Sequence, residues 1–569
     1  MIITMTMRRR RQRRMIVAGK ISHMPCQYLS LHSSRLVEFL LLLIAEGRIV
    51  FEKPSNWNNA PGWPAVKIRL TKRGAEHVKQ VGVKILNEEI SQLSGFQTLH
   101  SFSEQGVAGR VQLYDINVLR YSPPRYTSVE FVPPSYIVFQ MDRMDIALAG
   151  RFAGTVALIP VTGSVTGDLR QMSIRLQTKF IRAMNGYIEV KVVGCSTVVY
   201  YSHFSISANG ALNGFVKMIE ARINEVIRRK IPNVFCNSLQ RIIEDSSPRL
   251  FRRLAFTNLT DQFHSINLID NMIINKLFRR LTKGLYIDNR NIANPIITTD
   301  YFETQQKGEI RYENDYRPTP FNPPAMHTGN DSSRMLYFYG SEYLFNSLLY
   351  HAYEGDRMIV EIDETNLPPQ YQSIVRTSCD NSQSSSRSFV SSLCLGMLIP
   401  EVAVRYPNLS SSFVLLPHQI PEFRFSKDTG SIDLKSRVLT YINENERRKQ
   451  IMVSTADLQA DFRLLVEDQK FAAALKINKF DIRLHRSAIK GLNSNSITQL
   501  APLAKTFLGP QLVKALRKGI PFPLKDSIEF INPELIIRDK FVEIATDFRL
   551  GEQKLREEVQ KAFSSVFQN

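Results

Sequence analysis

The residues best suited to chemistry in this 569-residue chain are its five cysteines, at positions 26, 195, 236, 379 and 394. No C-x-x-C occurs and the ten histidines are scattered, so the sequence offers no local set of metal ligands. Cys195 lies within VVGCSTVVYYSHFSIS (192–207), a β-branched and aromatic run that reads as a buried strand. Cys236 stands at the end of a segment with helical patterning, while Cys379 and Cys394 flank a Ser-rich loop, CDNSQSSSRSFVSSLC, across which they either pair or stay free. The signatures of nucleophilic, metalloprotease and nucleotide chemistry, G-x-S-x-G, H-E-x-x-H, G-x-x-x-x-G-K-[ST] and G-x-G-x-x-G, are missing. The chain is therefore not expected to be an enzyme, and no catalytic residue, metal or cofactor is assigned.

Several elements must position the cysteines. Residues 71–93 place Ala75, Val78, Gly82, Ile85, Leu86, Ile90 and Leu93 at three- and four-residue steps, an amphipathic helix with one apolar stripe. A long β region follows over about 106–207, broken by Pro-Pro pairs and glycines and alternating clearly at Met172, Ile174 and Leu176. With no helix between its strands, it is expected to be an antiparallel meander. A second helix, about 212–245, carries Leu212, Phe215, Ile219, Ile223, Val226 and Ile227 on one side and basic residues on the other. Between about 286 and 333 periodicity is lost in a proline- and asparagine-rich stretch of linker character. The order then repeats: a helix at 341–353 with Leu344, Phe345, Leu348, Leu349 and Ala352, strands near 421–441 and 459–486, a helix near 497–518 and strands at 527–548. The predicted organisation is a leader (1–63), a first domain (64–300), a proline-rich linker (301–333), a second domain (334–550) and a tail (551–569).

Charge and termini narrow the partners. The net charge is +20, and six of the basic residues sit in RRRRQRR at 8–14; removing them leaves +14, a field that favours anionic partners. No basic-aromatic nucleic-acid module is recognisable, so nucleic acid is not an expected partner. The segment RLVEFLLLLIAEG (35–47) reads as a degenerate secretory signal, too short to span a bilayer. Asn258, Asn330 and Asn408 head N-x-[ST] sequons that would accept glycan in a secreted chain.

Four separated stretches, PAVKIRLTKRGAEHV (64–78), Cys195 with Cys236, LIPEVAVRYPN (398–408) and LRKGIPFPL (516–524), together resemble the lipid-transfer and lipopolysaccharide-binding family of bactericidal permeability-increasing protein. The resemblance runs over about 64–549 in the family's order. It implies an α+β fold: two similar antiparallel barrel-like domains, each wrapping a long helix, joined by a central sheet in a boomerang. It also implies a Cys195–Cys236 disulfide, and beneath the helices apolar pockets for acyl chains. On that basis Val78, Gly82, Ile85, Leu86, Ile90, Leu212, Phe215, Ile219, Ile223, Leu344, Phe345 and Leu348 are expected to line bound lipid, with the small Ala75 and Gly82 leaving room for it. The implied role is a secreted, monomeric lipid-binding or lipid-transfer protein whose partners are phospholipids or lipopolysaccharide, with no cofactor beyond bound phospholipid. The alternative is a cationic antibacterial effector on anionic bacterial membranes, for which Lys72, Arg73 and Lys79 lie near a candidate region.

Overall fold

The computed structural model describes residues 59–91, 96–104, 107–156, 159–208, a subset of 220–260, 272–379, 393–445, 447–467, 470–521, 528–553 and a few beyond. At its centre is a six-stranded antiparallel sheet in the spatial order Ile296–Ile297, Tyr301–Gln306, Val66–Thr71, Leu336–Ser341, Phe541–Leu550, Ile528–Arg538. Val66–Thr71 and Leu336–Ser341 lie side by side, with Ile68 opposite Phe338. Each runs directly into a helix, Lys72–Ser91 (α1) and Tyr343–Glu354 (α2). Each helix is followed by a long meander and then by a return to the central sheet. The repeat anticipated from the order of elements is thus a topological duplication about the two middle strands.

The first meander joins Phe96–Glu104, Val107–Ser122, Tyr136–Val156, Ile159–Arg182 and Ile188–Ala208 in order, with Tyr126–Val132 on the far part of the third strand. The second joins Val360–Ile362, Ser410–Pro417, Thr429–Glu444, Arg447–Glu467, Lys470–Ser487 and Ile520–Pro521. Both are open antiparallel sheets among the described residues rather than closed barrels. Strands of 16 to 24 residues can curl only if their ladders are interrupted. In the first meander the interruptions coincide with the left-handed residues Asp115, Arg143 and Gln171 on three adjacent strands. An extra residue in a positive-φ conformation bends a strand and raises its twist.

The buried side chains follow the two meanders. Met141, Met144, Ile146, Leu169, Met172, Ile174, Val199 and Phe204 pack under α1 in the first half. In the second, Leu395, Ile399, Val402, Val438, Ile442, Ile451, Met452 and Ile482 form the core, so LIPEVAVRYPN is a core segment. The linker-like stretch differs from expectation. Before residue 313 it contributes Leu285–Asp288 and Glu309–Tyr312 to a three-stranded sheet and Tyr301–Gln306 to the central one. Strands of four to six residues are too short for alternation to stand out from their polar composition.

Candidate functional site

The first candidate surface is the apolar stripe of α1. Thr71 ends the central strand and starts the helix: its Oγ1 accepts from the Gly74 backbone N–H at 3.3 Å, an N-cap that satisfies one free donor of the first turn. Gly74 is required there, since a Cβ would lie 2.4 Å from the Met335 carbonyl oxygen of the neighbouring strand. Ala75 packs with Phe131 and Ile297, Ile85 is fully buried, and Ile90 joins the meander core with Leu86 against it. Val78 is 38% exposed. At the half-buried Gly82 an added Cβ would meet nothing within 4 Å, so open space adjoins the stripe between Val78 and the buried Ile85. Of the cations near this helix, Arg73 pairs with Asp547 and donates to the Ser333 carbonyl, and Lys79 pairs with Glu76 and donates to the Thr127 carbonyl. Lys72 is exposed.

The second surface involves the helical segment carrying Cys236. Leu212, Phe215, Ile219 and Ile223 lie outside the described residues, as does Cys26. What is described shows how the segment is held. Asn224 brackets Phe204, accepting from its N–H at 2.7 Å and donating to its carbonyl at 2.9 Å. Cys195 and Cys236 form a disulfide with a Cα–Cα distance of 5.6 Å, and Glu244 accepts from the Val192 N–H at 3.1 Å. The strand partners thus run 204, 195 and 192 as the segment's described partners run 224, 236 and 244. The segment therefore runs antiparallel along the edge strand Ile188–Ala208 and meets edge N–H groups that would otherwise be free to pair with another chain.

The third surface, on α2, is built differently. Leu344, Phe345 and Leu348 are only half-buried, and Phe345 stacks on Phe423 at 4.5 Å. The face that α2 buries sets three polar residues, Asn346, Ser347 and His351, beside Tyr343 and Ala352. Asn346 exchanges two hydrogen bonds with the Phe423 backbone, at 2.7 and 2.8 Å, and Ser347 Oγ accepts from the Ile310 N–H. His351, wholly buried, has Nε2 3.0 Å from Glu309 and Nδ1 3.2 Å from Asp315. Around it lie Asp288, Arg290, Lys307, Arg311 and Arg317, linked by ion pairs. Burial opposes ionisation of Asp288, Glu309 and Asp315, yet hydrogen bonds from Arg290, from His351 and Lys307, and from Arg317 outweigh it and hold all three below the usual carboxylate range. Glu342, at the start of α2, goes the other way: burial pushes it up to about 7, more than the Phe425 N–H and the Lys540 charge offset.

This polar face escaped the sequence reading, although Glu342, Asn346, Ser347 and His351 recur at four- and one-residue steps as a buried stripe would. Cys379 and Cys394 are bridged, with Cα atoms 5.4 Å apart. Asn258, Asn330 and Asn408 are all exposed. Among the described residues no cluster of three His, Cys, Asp or Glu side chains could hold a metal, and no helix is long and apolar enough to cross a membrane.

Two family models match, the N-terminal domain of the LBP / BPI / CETP family over residues 76–246 and its C-terminal domain over 279–550. Among individual proteins, the chain is 20% identical over 492 residues to bactericidal permeability-increasing protein of Sebastes schlegelii, covering 85% of this chain and 95% of that one. It is 22% identical over 494 residues to lipopolysaccharide-binding protein of Homo sapiens, covering 84% and 92%. A crystal structure of lipopolysaccharide binding protein aligns over 86% of this chain and all of that one, at 19% identity and a TM-score of 0.45. With both domain models matched in order, over 76–246 and 279–550, the chain belongs to the LBP / BPI / CETP family.

Proposed function

We propose that the chain is an extracellular lipid-binding and lipid-transfer protein that shelters the acyl chains of a phospholipid or lipopolysaccharide, with residues 64–300 and 334–550 as its two lipid-binding domains. The observation that carries this reading is the open space beside Gly82. A glycine in a helix interior costs about 0.5–1 kcal/mol relative to alanine, and here no neighbour demands it. Space reserved for a ligand accounts for it. Relatives named for binding lipopolysaccharide and for transferring cholesteryl ester support the ligand class. Holding an acyl chain needs no reacting group, because each methylene removed from water contributes about 0.8 kcal/mol. The two disulfides fit an oxidising, secretory compartment.

The pocket linings proposed are Val78, Gly82, Ile85, Leu86 and Ile90 on α1, Leu212, Phe215, Ile219 and Ile223 on the following helical segment, and Leu344, Phe345 and Leu348 on α2. The antibacterial alternative draws on the charge of +20, but Arg73 and Lys79 already serve internal partners, and carriage is the stronger reading. The deciding experiment is mass spectrometry of an organic extract of protein purified from a secreting host. Phospholipid at a fixed molar ratio is expected. Protein that carries none, and takes up none from phosphatidylcholine vesicles, would overturn the proposal.

A further inference from the structure

A cleft of about 480 Å³ lies apart from the apolar surfaces above, within the range of about 300–1,000 Å³ usual for small-molecule sites. Three distant segments build it. Asn59, Ala60 and Trp63 precede the first central strand, Pro324, Ala325 and His327 belong to the proline-rich stretch, and Arg538–Phe541 is the turn between the last two central strands.

The walls are fixed. Asn59 and Asn322 exchange side chain-to-backbone hydrogen bonds, both at 3.1 Å. The proline-rich wall is tied to the central sheet by Lys67 Nζ, which donates to the Met326 carbonyl, and by the buried Arg69, whose Nη1 donates to Gly329 at 2.6 Å. The turn is clamped at Lys540, whose N–H donates to the Phe425 carbonyl and whose carbonyl accepts from the Glu342 N–H. Into this frame the chain sets a tryptophan that is 50% exposed, two residues before Ala65, which is wholly buried. An indole held half-open in an anchored wall presents part of its ring to the cleft.

The polar groups decide the ligand. Arg538 Nε donates to Glu543 at 2.6 Å, so its charge is already compensated, and Asp539 adjoins Lys540. The cleft therefore pairs donors with acceptors and has little net charge. A phosphate or carboxylate ligand would meet the Asp539 carboxylate, whereas hydroxyl groups, each both donor and acceptor, can use Asn59, Asp539, Lys540 and His327 together. A sugar ring adds a face of C–H bonds, slightly positive, that suits the negative face of an indole. We propose that this cleft is a binding site for a neutral saccharide.

The chain has two tryptophans, Trp57 and Trp63, so Trp57→Phe leaves Trp63 as the sole indole reporter. The full-length Trp57→Phe protein would be titrated with maltotetraose, N-acetylchitotetraose and mannotetraose while its emission is followed. In parallel, saturation-transfer NMR would follow each saccharide on the wild-type protein. The expected result is a saturable response to at least one saccharide, weakened tenfold or more by Trp63→Ala and by Asp539→Ala, with the amount of extractable phospholipid unchanged. Asp539 is an exposed turn residue, so that variant carries the test if Trp63→Ala fails to fold. No saturable response to any of the three, or undiminished binding in the variants, would each overturn the proposal. The phospholipid measurement separates its failure from failure of the carrier reading.

Discussion

Helices α1 and α2 occupy equivalent places, each leaving one of the two middle central strands, yet the face that α2 buries is the more polar. α1 has 20 residues and turns Ala75, Ile85 and Ile90 inward, leaving open space beside Gly82. α2 has 12 residues and turns Asn346 onto the Phe423 backbone and Ser347 and His351 onto the segment that connects the two halves, with Tyr343 and Ala352 buried beside them. A buried polar face is worth keeping only where its partners are fixed, because an orphaned polar group costs more than a made hydrogen bond gains. The two equivalent positions thus hold one helix packed chiefly through apolar side chains and one tied to the junction by buried polar groups. It follows that the pocket proposed on α2 is the weaker of the two, since Phe345 already fills part of its surface by stacking on Phe423.

The largest effect should come from the junction. His351→Ala empties a wholly buried ring site and removes a hydrogen-bond partner from Glu309 and from Asp315, which keep Lys307 and Arg317; cavity and lost bonds together cost about 3–5 kcal/mol. Denaturant midpoints would measure it. A loss under about 1 kcal/mol would remove the distinction between the helices.

Next comes the edge-strand staple of the first half. Cys195→Ser should cost about 2–5 kcal/mol and lower secretion yield, because the bridge closes a loop of 41 residues. Asn224→Ala removes two hydrogen bonds to Phe204, each worth about 0.5–1.5 kcal/mol. If peptide mapping without reduction found Cys195 and Cys236 free and alkylatable, the antiparallel seating of this segment would lose its central tie.

The pH dependence of stability sharpens the comparison further, because the groups around α2 oppose one another. Asp288, Glu309 and Asp315 are held below their unfolded values of about 4, so their contribution is present above pH 4 and is lost as pH falls through their folded values. Glu342 is raised to about 7, so its contribution is full below about pH 4.3 and is lost as pH rises through 7. Taken together, the α2 surroundings should be most stable near pH 4–5. Glu342→Gln retains an acceptor for the Phe425 N–H and should raise stability at pH 8 by on the order of 2 kcal/mol, with little change at pH 4. Equal effects at both pH values would mean that ionisation of Glu342 is not what is costly.

How much of this was legible in the sequence depended on the length of each signal. The stripe of α1, the first meander and the repeated order could be read because 16- to 24-residue strands and a 20-residue helix repeat their period many times. The strands Leu285–Asp288 and Glu309–Tyr312 could not, since four residues hold barely two periods. His351 was hidden for another reason. Its partners Glu309 and Asp315 lie 42 and 36 residues away, and only the folded chain brings them together. The Trp63 cleft is more distant still, with walls drawn from residues 59 and 541.

The smallest effect on stability, and the most telling for function, belongs to Gly82. If the space beside it is there for an acyl chain, Gly82→Ala should raise stability by about 0.5–1 kcal/mol through helix propensity alone while leaving bound phospholipid in place, since an added Cβ meets nothing within 4 Å. Gly82→Phe should project into the same space, lowering recovered phospholipid several-fold with a stability change of about 0.5 kcal/mol or less. A close-packed helix face would behave otherwise, because inserting bulk there strains the fold by about 1–3 kcal/mol and leaves ligand content to other surfaces. Phospholipid per mole and the thermal midpoint, measured together for the wild type and both variants, distinguish the cases. A lowered midpoint with unchanged lipid in Gly82→Phe would make α1 an ordinary packed helix and end the contrast with α2 on which the carrier reading leans.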